Sequence, residues 1–383
     1  MQALITAEPN LAVVTDVPLP EPQAGEILVR VHAVALNPVD ALCVAHPLDE
    51  NFGRVVGSDF TGTVAKLGQG VKNWAIGDRV AACSINPRPG GFAEYAVLEE
   101  DLAFRIPDGV SFEEAATVLL CSLTAARALF IRLGLPSPFP TTAEFYANYP
   151  VKPTRTPTIL IYSASTSVGL FVLSVLQSMI TADPSFKINV IAIGSSNNHA
   201  KFVSLGAHHS FDYRDFEWQK KVLVATDGQG IDYAIDCLSE GERTAQISRV
   251  FGTGDNPDGI FGTQRTIYGV VWTGLGHDVV YDNGHVLESP PAHRQQAVDF
   301  KFLSAGSPCD KSKLPIEPNP VRLMPGGLAE VAKNGFELPG SDLVNERMKS
   351  FRSESYMKPI FAEKLVYSFL FEVRYYILTA IVR

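Results

Sequence analysis

The residues with the clearest chemical use lie in a strand–turn–helix. Thr158-Ile-Leu-Ile-Tyr162 is short and continuously apolar, residues 163–168 are small and turn-forming, and Gly169-Leu-Phe-Val-Leu-Ser-Val-Leu has the make-up of a helix. The start of such a helix offers free N–H groups and the positive end of its dipole, which suits a pyrophosphate. The usual dinucleotide fingerprint is G-x-G-x-x-G. Here its three positions are Ala164, Thr166 and Gly169, so only the last glycine is present. An ordinary strand–helix turn also reads this way, and the following turn has to discriminate. A site for NAD places Asp or Glu at the end of the second strand, on the ribose 2′-OH. After Ile188-Asn-Val-Ile-Ala-Ile193 this chain has Gly194-Ser195-Ser196-Asn197-Asn198, with no carboxylate. Hydroxyls and amides in that turn, Lys201 one helical turn on, and Tyr213 in Phe211-Asp-Tyr-Arg214 can donate to a 2′-phosphate. The set predicts NADPH over NADH, although Lys201 alone reads equally well as a solvated helix lysine.

A metal is not expected. Catalytic zinc takes thiolate, imidazole or carboxylate ligands and keeps one position open. Asn37-Pro-Val-Asp40 has no cysteine before its aspartate, and Gly57-Ser-Asp-Phe-Thr-Gly62 has Ser58 where a Gly-His-Glu turn would supply histidine. Cys43 and His46 are close in sequence without obvious partners. His32, on an alternating strand, reads as a satisfied side chain, and His208 and His209 as loop residues without chemistry.

The elements that position these residues change character along the chain. Glu26-Ile-Leu-Val-Arg-Val-His-Ala-Val alternates as a half-buried strand does, and Thr61-Gly-Thr-Val-Ala-Lys-Leu-Gly, Asp78-Arg-Val-Ala-Ala and Phe92-Ala-Glu-Tyr-Ala-Val continue a β-rich lobe. Ser111 followed by Glu114 is a capping box, opening a helix that should run to about Gly134. A Pro-rich surface excursion begins at Leu135-Pro-Ser-Pro. From Thr158, strands alternate with helices, as a parallel sheet requires, with a third strand at Ile231-Asp-Tyr-Ala-Ile-Asp236. Glu363-Lys-Leu-Val-Tyr367 reads as a last, edge strand.

Composition narrows the class. The 383 residues suit two domains, or one domain inserted in another, and a formal net charge of −9 with no basic run argues against nucleic-acid binding. Five scattered cysteines, Cys43, Cys83, Cys121, Cys237 and Cys309, make no disulfide framework, so a cytoplasmic setting is expected. Met1 to Ala7 is too short and polar for a signal peptide, and Glu372 and Arg374 interrupt the apolar stretch Leu365 to Arg383, so no membrane helix is expected.

Asn37-Pro-Val-Asp40, Gly57-Ser-Asp-Phe-Thr-Gly-Thr-Val, Gly77-Asp-Arg-Val80, Gly91-Phe-Ala-Glu-Tyr and Leu205-Gly-Ala207 together resemble the zinc-free quinone-reductase branch of the medium-chain dehydrogenase/reductases. Ser163-Ala-Ser-Thr-Ser, the Pro-rich excursion and Phe211-Asp-Tyr-Arg are most similar to fungal trans-acting enoyl reductases of polyketide clusters. The resemblance implies an α/β protein: a GroES-like β-rich catalytic domain over residues 1–133 and 308–383, with a Rossmann doubly wound nucleotide-binding domain over 134–307. It implies NADPH contacts at Val39, Asp40, Ala41 and Leu42, phosphate contacts at Ser165, Thr166, Ser167 and Val168, and adenosine-end contacts at Ser195, Ser196, Asn197, Asn198 and Tyr213. Ala362 and Glu363 would close over the cofactor. Ala125, Ala126, Arg127, Ala128, Leu129, Phe130, Ile131 and Arg132 would line a substrate channel, with Thr124 at its entrance as the polar group near the nicotinamide. The implied activity is reduction of α,β-unsaturated polyketide thioesters, delivered on a carrier domain of a polyketide synthase or hybrid polyketide/nonribosomal peptide synthase. The enzyme would be a monomer or dimer. Arg127 and Arg132 are possible contacts for that acidic domain, against the plainer reading of a solvated helix face.

The sequence departs from that family in three places. Leu42 stands where lysine is common, the strand expected after Val250 is replaced by Gly252-Thr-Gly-Asp-Asn-Pro-Asp-Gly, and an aromatic tail follows Ser368. The tail is expected to lie outside the working fold. Two rival readings stay open: a zinc-free quinone or 2-alkenal oxidoreductase acting on free small molecules, and a homologue that binds NADPH without turnover or is not an enzyme.

Overall fold

A computed structural model describes residues 1–47, 52–84, 89–136, 155–238, 243–252, 271–280, 286–304, 316–336, 338, 354–358, 360 and 362–369. Most of the Pro-rich excursion, the segment following Gly252 and the tail beyond Phe369 therefore lie outside the described residues.

The chain opens with an antiparallel pair, β1 (Gln2–Glu8) and β2 (Leu11–Asp16). The main β-sheet is built on β3 (Glu26–Ala35). A short helix, α1 (Pro38–Ala45), follows, with Pro38 at its first turn, where the missing N–H costs nothing. Then come β4 (Asp59–Leu67), β5 (Arg79–Cys83), β6 (Tyr95–Glu99) and β7 (Phe104–Arg105). Strand β3 is not half-buried as its alternation suggests. Nearly every residue is covered, because α2 (Phe112–Ala116) packs Phe112 and Ala116 against Ala33 and Ala35 on the second face.

The Ser111 capping box forms: the Glu114 N–H donates to Ser111 Oγ at 3.1 Å, and Ser111 N–H donates back to Glu114 Oε2 at 2.9 Å. The helix then breaks at Thr117 and Val118, resumes as α3 (Leu119–Ala126), and widens into a π-helical stretch, Arg127–Arg132. The run Phe112–Arg132 is long and apolar enough to cross a bilayer, but 89 % of its most apolar window is packed inside the protein.

The second sheet is parallel. Strands β8 (Thr158–Tyr162), β9 (Asn189–Ile193), β10 (His209–Phe211) and β11 (Tyr233–Asp236) lie in the order β10-β9-β8-β11. His209 thus begins a strand rather than lying on a loop. Helices α4 (Ser167–Ala182), α5 (His199–Ser204), α6 (Trp218–Ala225) and α7 (Arg243–Ser248) alternate with these strands. Three residues after α7, Phe251 bridges in parallel to Ile231. One apolar core holds Leu123, Ala126 and Phe130 together with Ile159, Leu170 and Leu173, so the α3 region and the parallel sheet bury the same surface.

A minor antiparallel pair, β12 (Val279–Val280) and β13 (Val286–Leu287), precedes α8 (Pro291–Ser304). The chain then returns to the first sheet. Strand β14 (Val321–Met324) pairs in parallel with β15 (Lys364–Ser368), which pairs antiparallel with β3. Strand β15 is therefore interior and not an edge: β14 covers its outer side.

Candidate active site

Two groups of residues stand out. The first is a buried polar cluster joining α1, β4, α3 and β15. Asn37 heads α1 with an extended backbone, φ −120° and ψ 152°. Its N–H donates to Asp40 Oδ2 at 2.8 Å, and its side-chain amide donates to Ser58 Oγ at 2.8 Å and Asp59 Oδ2 at 2.9 Å. Asp59 also accepts from the Leu120 N–H at 3.0 Å and from Lys364 Nζ at 2.6 Å. The Cys121 thiol donates to Asn37 Oδ1 at 3.4 Å and lies 3.4 Å from Lys364 Nζ. Asp59 is 1 % exposed and Lys364 3 %. Burial works against the charge on Lys364, but the facing Asp59 carboxylate and the Cys121 sulfur together outweigh it and raise the ammonium's affinity for its proton.

Ser58, where a Gly-His-Glu turn would supply histidine, lies inside this cluster. Here the side chains satisfy one another. Among the described residues no group of three His, Cys, Asp or Glu side chains could hold a metal ion.

Asp40 has a different environment. Burial raises its carboxyl to about 7, against the opposing pull of the Asn37 N–H and the Ser58 hydroxyl. It borders a cavity of about 20 Å³ with Val39, Cys43, Arg54 and Ser58, room for about one water molecule. Of the four predicted contacts on α1, Val39 and Asp40 reach this space. Ala41 is fully buried, and Leu42 packs against the β-sheet core.

The second group lies at the C-terminal ends of the parallel strands, where open α/β sheets bind ligands. Ser163 turns with φ 59°. Thr166 caps α4: its Oγ1 accepts from the Gly169 N–H at 3.1 Å and donates to the Ser163 carbonyl at 2.9 Å. Ser165, Ser167 and Val168 are half-buried around this helix start. A Cβ on Gly169 would sit 2.7 Å from Ala164 Cα and O, so this glycine lets α4 lie close against the turn after β8.

At the end of β9, residues Ser196–Asn198 form a 3-10 turn leading into α5. Arg214 Nη2 donates to Ser195 Oγ at 3.1 Å, and its guanidinium lies 5.5 Å from the Tyr213 ring centre. The same arginine binds Asp212 through Nε to Oδ1 at 2.9 Å and Nη2 to Oδ2 at 2.6 Å, while the Ser196 N–H donates to Asp212 Oδ2 at 2.9 Å. Arg214 holds the Asp212 carboxyl well below the usual carboxylate range. The structure thus gathers Ser195, Ser196 and Tyr213, and adds two residues that sequence reasoning passed over, Arg214 as the cation and Asp212 as a carboxylate. The turn itself lacks an acid, but the following strand supplies one. Lys201 faces elsewhere, with Nζ 3.7 Å from Glu317 Oε1.

The remaining expected residues are placed as follows. Ala362 has φ 53°, and Glu363 is ion-paired with Arg322. The Thr124 hydroxyl donates to the Leu120 carbonyl at 2.8 Å, so its hydrogen is engaged within the helix. Ala125, Ala126, Leu129, Phe130 and Ile131 pack into the core, leaving Thr124, Ala128 and Arg132 partly exposed. Arg127 corrects a surface reading. It is 2 % exposed, with Nη2 3.2 Å from His293 Nδ1, and burial lowers its guanidinium to about 9. It is therefore not a docking contact for a carrier domain.

Residues 23–108 match the alcohol dehydrogenase GroES-like domain family. The chain is 37 % identical over 302 residues to the trans-enoyl reductase resD of Aspergillus sclerotiorum, covering 72 % of this chain and 82 % of that protein. The chain belongs to the trans-enoyl reductase family. The trans-enoyl reductase ACTTS2 of Alternaria alternata is 34 % identical over 257 residues, covering 66 % of this chain and 69 % of that one. The crystal structure of CurK enoyl reductase shares the fold, with a TM-score of 0.65 over 96 % of this chain and 98 % of that one at 18 % identity. A mycobacterial protein, Rv1454c, solved in complex with NADPH, matches with a TM-score of 0.50 over 66 % of this chain and 70 % of that one at 27 % identity. Within the trans-enoyl reductase family, then, this chain pairs a GroES-like β-sheet with a parallel nucleotide-binding sheet. The Asp59–Lys364 pair ties β4 to the returning strand β15.

Proposed function

We propose that the protein is an NADPH-dependent enoyl reductase that works in trans on α,β-unsaturated acyl thioesters carried by a polyketide synthase or hybrid polyketide/nonribosomal peptide synthase, in the cytoplasm. The match to resD over most of both chains is the observation that carries the reading. The residues present fit NADPH. The start of α4 offers the N–H groups that its own first turn leaves without helical partners, and the close approach at Gly169 leaves the turn open to a pyrophosphate. Arg214, Ser195 and the Ser196 N–H supply donors at the adenosine end.

When bound, NADPH supplies the hydride that adds to the substrate β-carbon. The chain's part is to orient the two partners and exclude water. Val39 and Asp40 stand at the cavity in the first sheet, and burial raises the Asp40 carboxyl to about 7. Thr124, with its hydrogen turned to Leu120, presents its oxygen at a half-exposed point of α3. Ser165, Thr166, Ser167 and Val168 would hold the phosphates, and Tyr213 would contact the adenosine end.

The cofactor part is testable by titration. Hydrogen bonds to charged groups contribute roughly 1.5–3 kcal/mol each, so NADPH should bind more than about tenfold tighter than NADH. Arg214→Ala should weaken NADPH by at least about tenfold and leave NADH nearly unchanged. Lys201→Ala should have the smaller effect, because Glu317 already faces its ammonium. Equal affinities of the native protein for both cofactors would contradict the reading.

A further inference from the structure

We infer that Asp212 sets the strength of 2′-phosphate recognition: its carboxylate occupies the anion position at the Ser195–Ser196 turn, and the phosphate of the incoming cofactor has to displace it. This rests on the NADPH reading above.

The donors at this point are few and already engaged. The Ser196 N–H donates to Asp212 Oδ2, and Arg214 binds both Asp212 oxygens while reaching Ser195 Oγ with the same Nη2. These donors belong to the turn at the end of β9, where an adenosine ribose is bound in this fold class. A phosphate brought there meets the same guanidinium and the same N–H. It also meets a carboxylate, and two anions served by one cation repel each other.

Asp212 therefore has two opposed effects. It holds Arg214 over the Ser195–Ser196 turn before the cofactor arrives, and it weakens the final complex. Displacement is feasible because the pair is open to solvent: the side chains of Arg214 and Asp212 are 56 % and 18 % exposed, and exposed pairs are weak. A cofactor without the 2′-phosphate brings no second anion and does not meet this competition. Asp212 is thus a specificity-determining position, and it moderates a preference that Arg214 creates.

The test uses adenosine phosphates as probes of this end of the site alone. Isothermal titration of the full-length protein with 2′,5′-ADP and with 5′-AMP, which differ only by the 2′-phosphate, separates that phosphate from the rest. Asp212→Asn keeps an acceptor for the Ser196 N–H and removes the charge. It should tighten 2′,5′-ADP about tenfold, the size of one charge contact at a half-exposed site, and leave 5′-AMP within about twofold. Adding Arg214→Gln to Asp212→Asn should abolish the gain. If Asp212→Asn, folded by circular dichroism, binds 2′,5′-ADP no better than the native protein, or if the gain survives loss of Arg214, the inference is wrong. A native protein that binds 2′,5′-ADP no tighter than 5′-AMP would instead overturn the NADPH reading, and this inference with it.

Discussion

Lys364→Met is expected to destabilise the folded protein by about 3–5 kcal/mol, the usual loss when one partner of a buried ion pair is removed. Methionine keeps most of the length and volume but leaves the Asp59 carboxylate, 1 % exposed, facing no cation. Asp59 would keep the Asn37 amide and the Leu120 N–H, neither of which neutralises a charge. The pair spans 305 residues and fastens β15 beside β3, so the loss should appear as loosening of the returning segment as well as a lower denaturation midpoint. Urea unfolding of the single variant and of Lys364→Met with Asp59→Leu checks this. The double variant should recover a large part of the stability, since two apolar groups replace an uncompensated charge. A single variant within about 1 kcal/mol of native, the range of exposed pairs, would show that the pair does not hold the segments together.

Gly169→Val is expected to cost about 1–3 kcal/mol of stability, as overpacking does, and to weaken NADPH by more than about tenfold. The atoms that a new Cβ would meet are Ala164 Cα, O and C at 2.7 to 2.8 Å, all backbone, so no side chain can swing aside. Helix α4 must move off the turn after β8, carrying Ser167 and Val168 away from the phosphate position. Gly169→Ala should show the same direction at smaller size. Thermal melting and NADPH titration of both variants measure it, and a valine variant with native affinity would mean that the helix start does not seat the phosphates.

What the sequence made legible were the local features. The β8–α4 turn, the Ser111 capping box and the strands β9 and β11 follow from neighbouring residues, because periodicity and caps act within a few positions. Features set by distant chain were not legible. Strand β3 alternates in sequence, yet α2 covers its polar-looking face. Val321-Arg-Leu-Met324 has no period of its own, so β14 went unread and β15 looked like an edge. Lys201 has its ammonium 3.7 Å from Glu317, a residue far along the chain that nothing near the lysine announces. Arg127 looks like a helix-surface residue in sequence and is buried against His293. The Asp59–Lys364 contact had both residues in motifs already singled out, but nothing local links Gly57-Ser-Asp to the lysine after Glu363.

As a trans-acting enoyl reductase, this chain is expected to reduce carrier-bound enoyl thioesters with NADPH. The most direct test follows NADPH oxidation by the purified protein with an α,β-unsaturated acyl group on the phosphopantetheine of an acyl carrier domain, and in parallel with a free quinone. NADPH carrying deuterium at the transferred position should leave that deuterium on the β-carbon of the saturated thioester, and kcat/KM for the thioester should exceed that for the quinone by at least about tenfold, a difference of about 1.4 kcal/mol in transition-state binding. Equal or greater efficiency on the free quinone, or no deuterium at the β-carbon, would contradict the assignment.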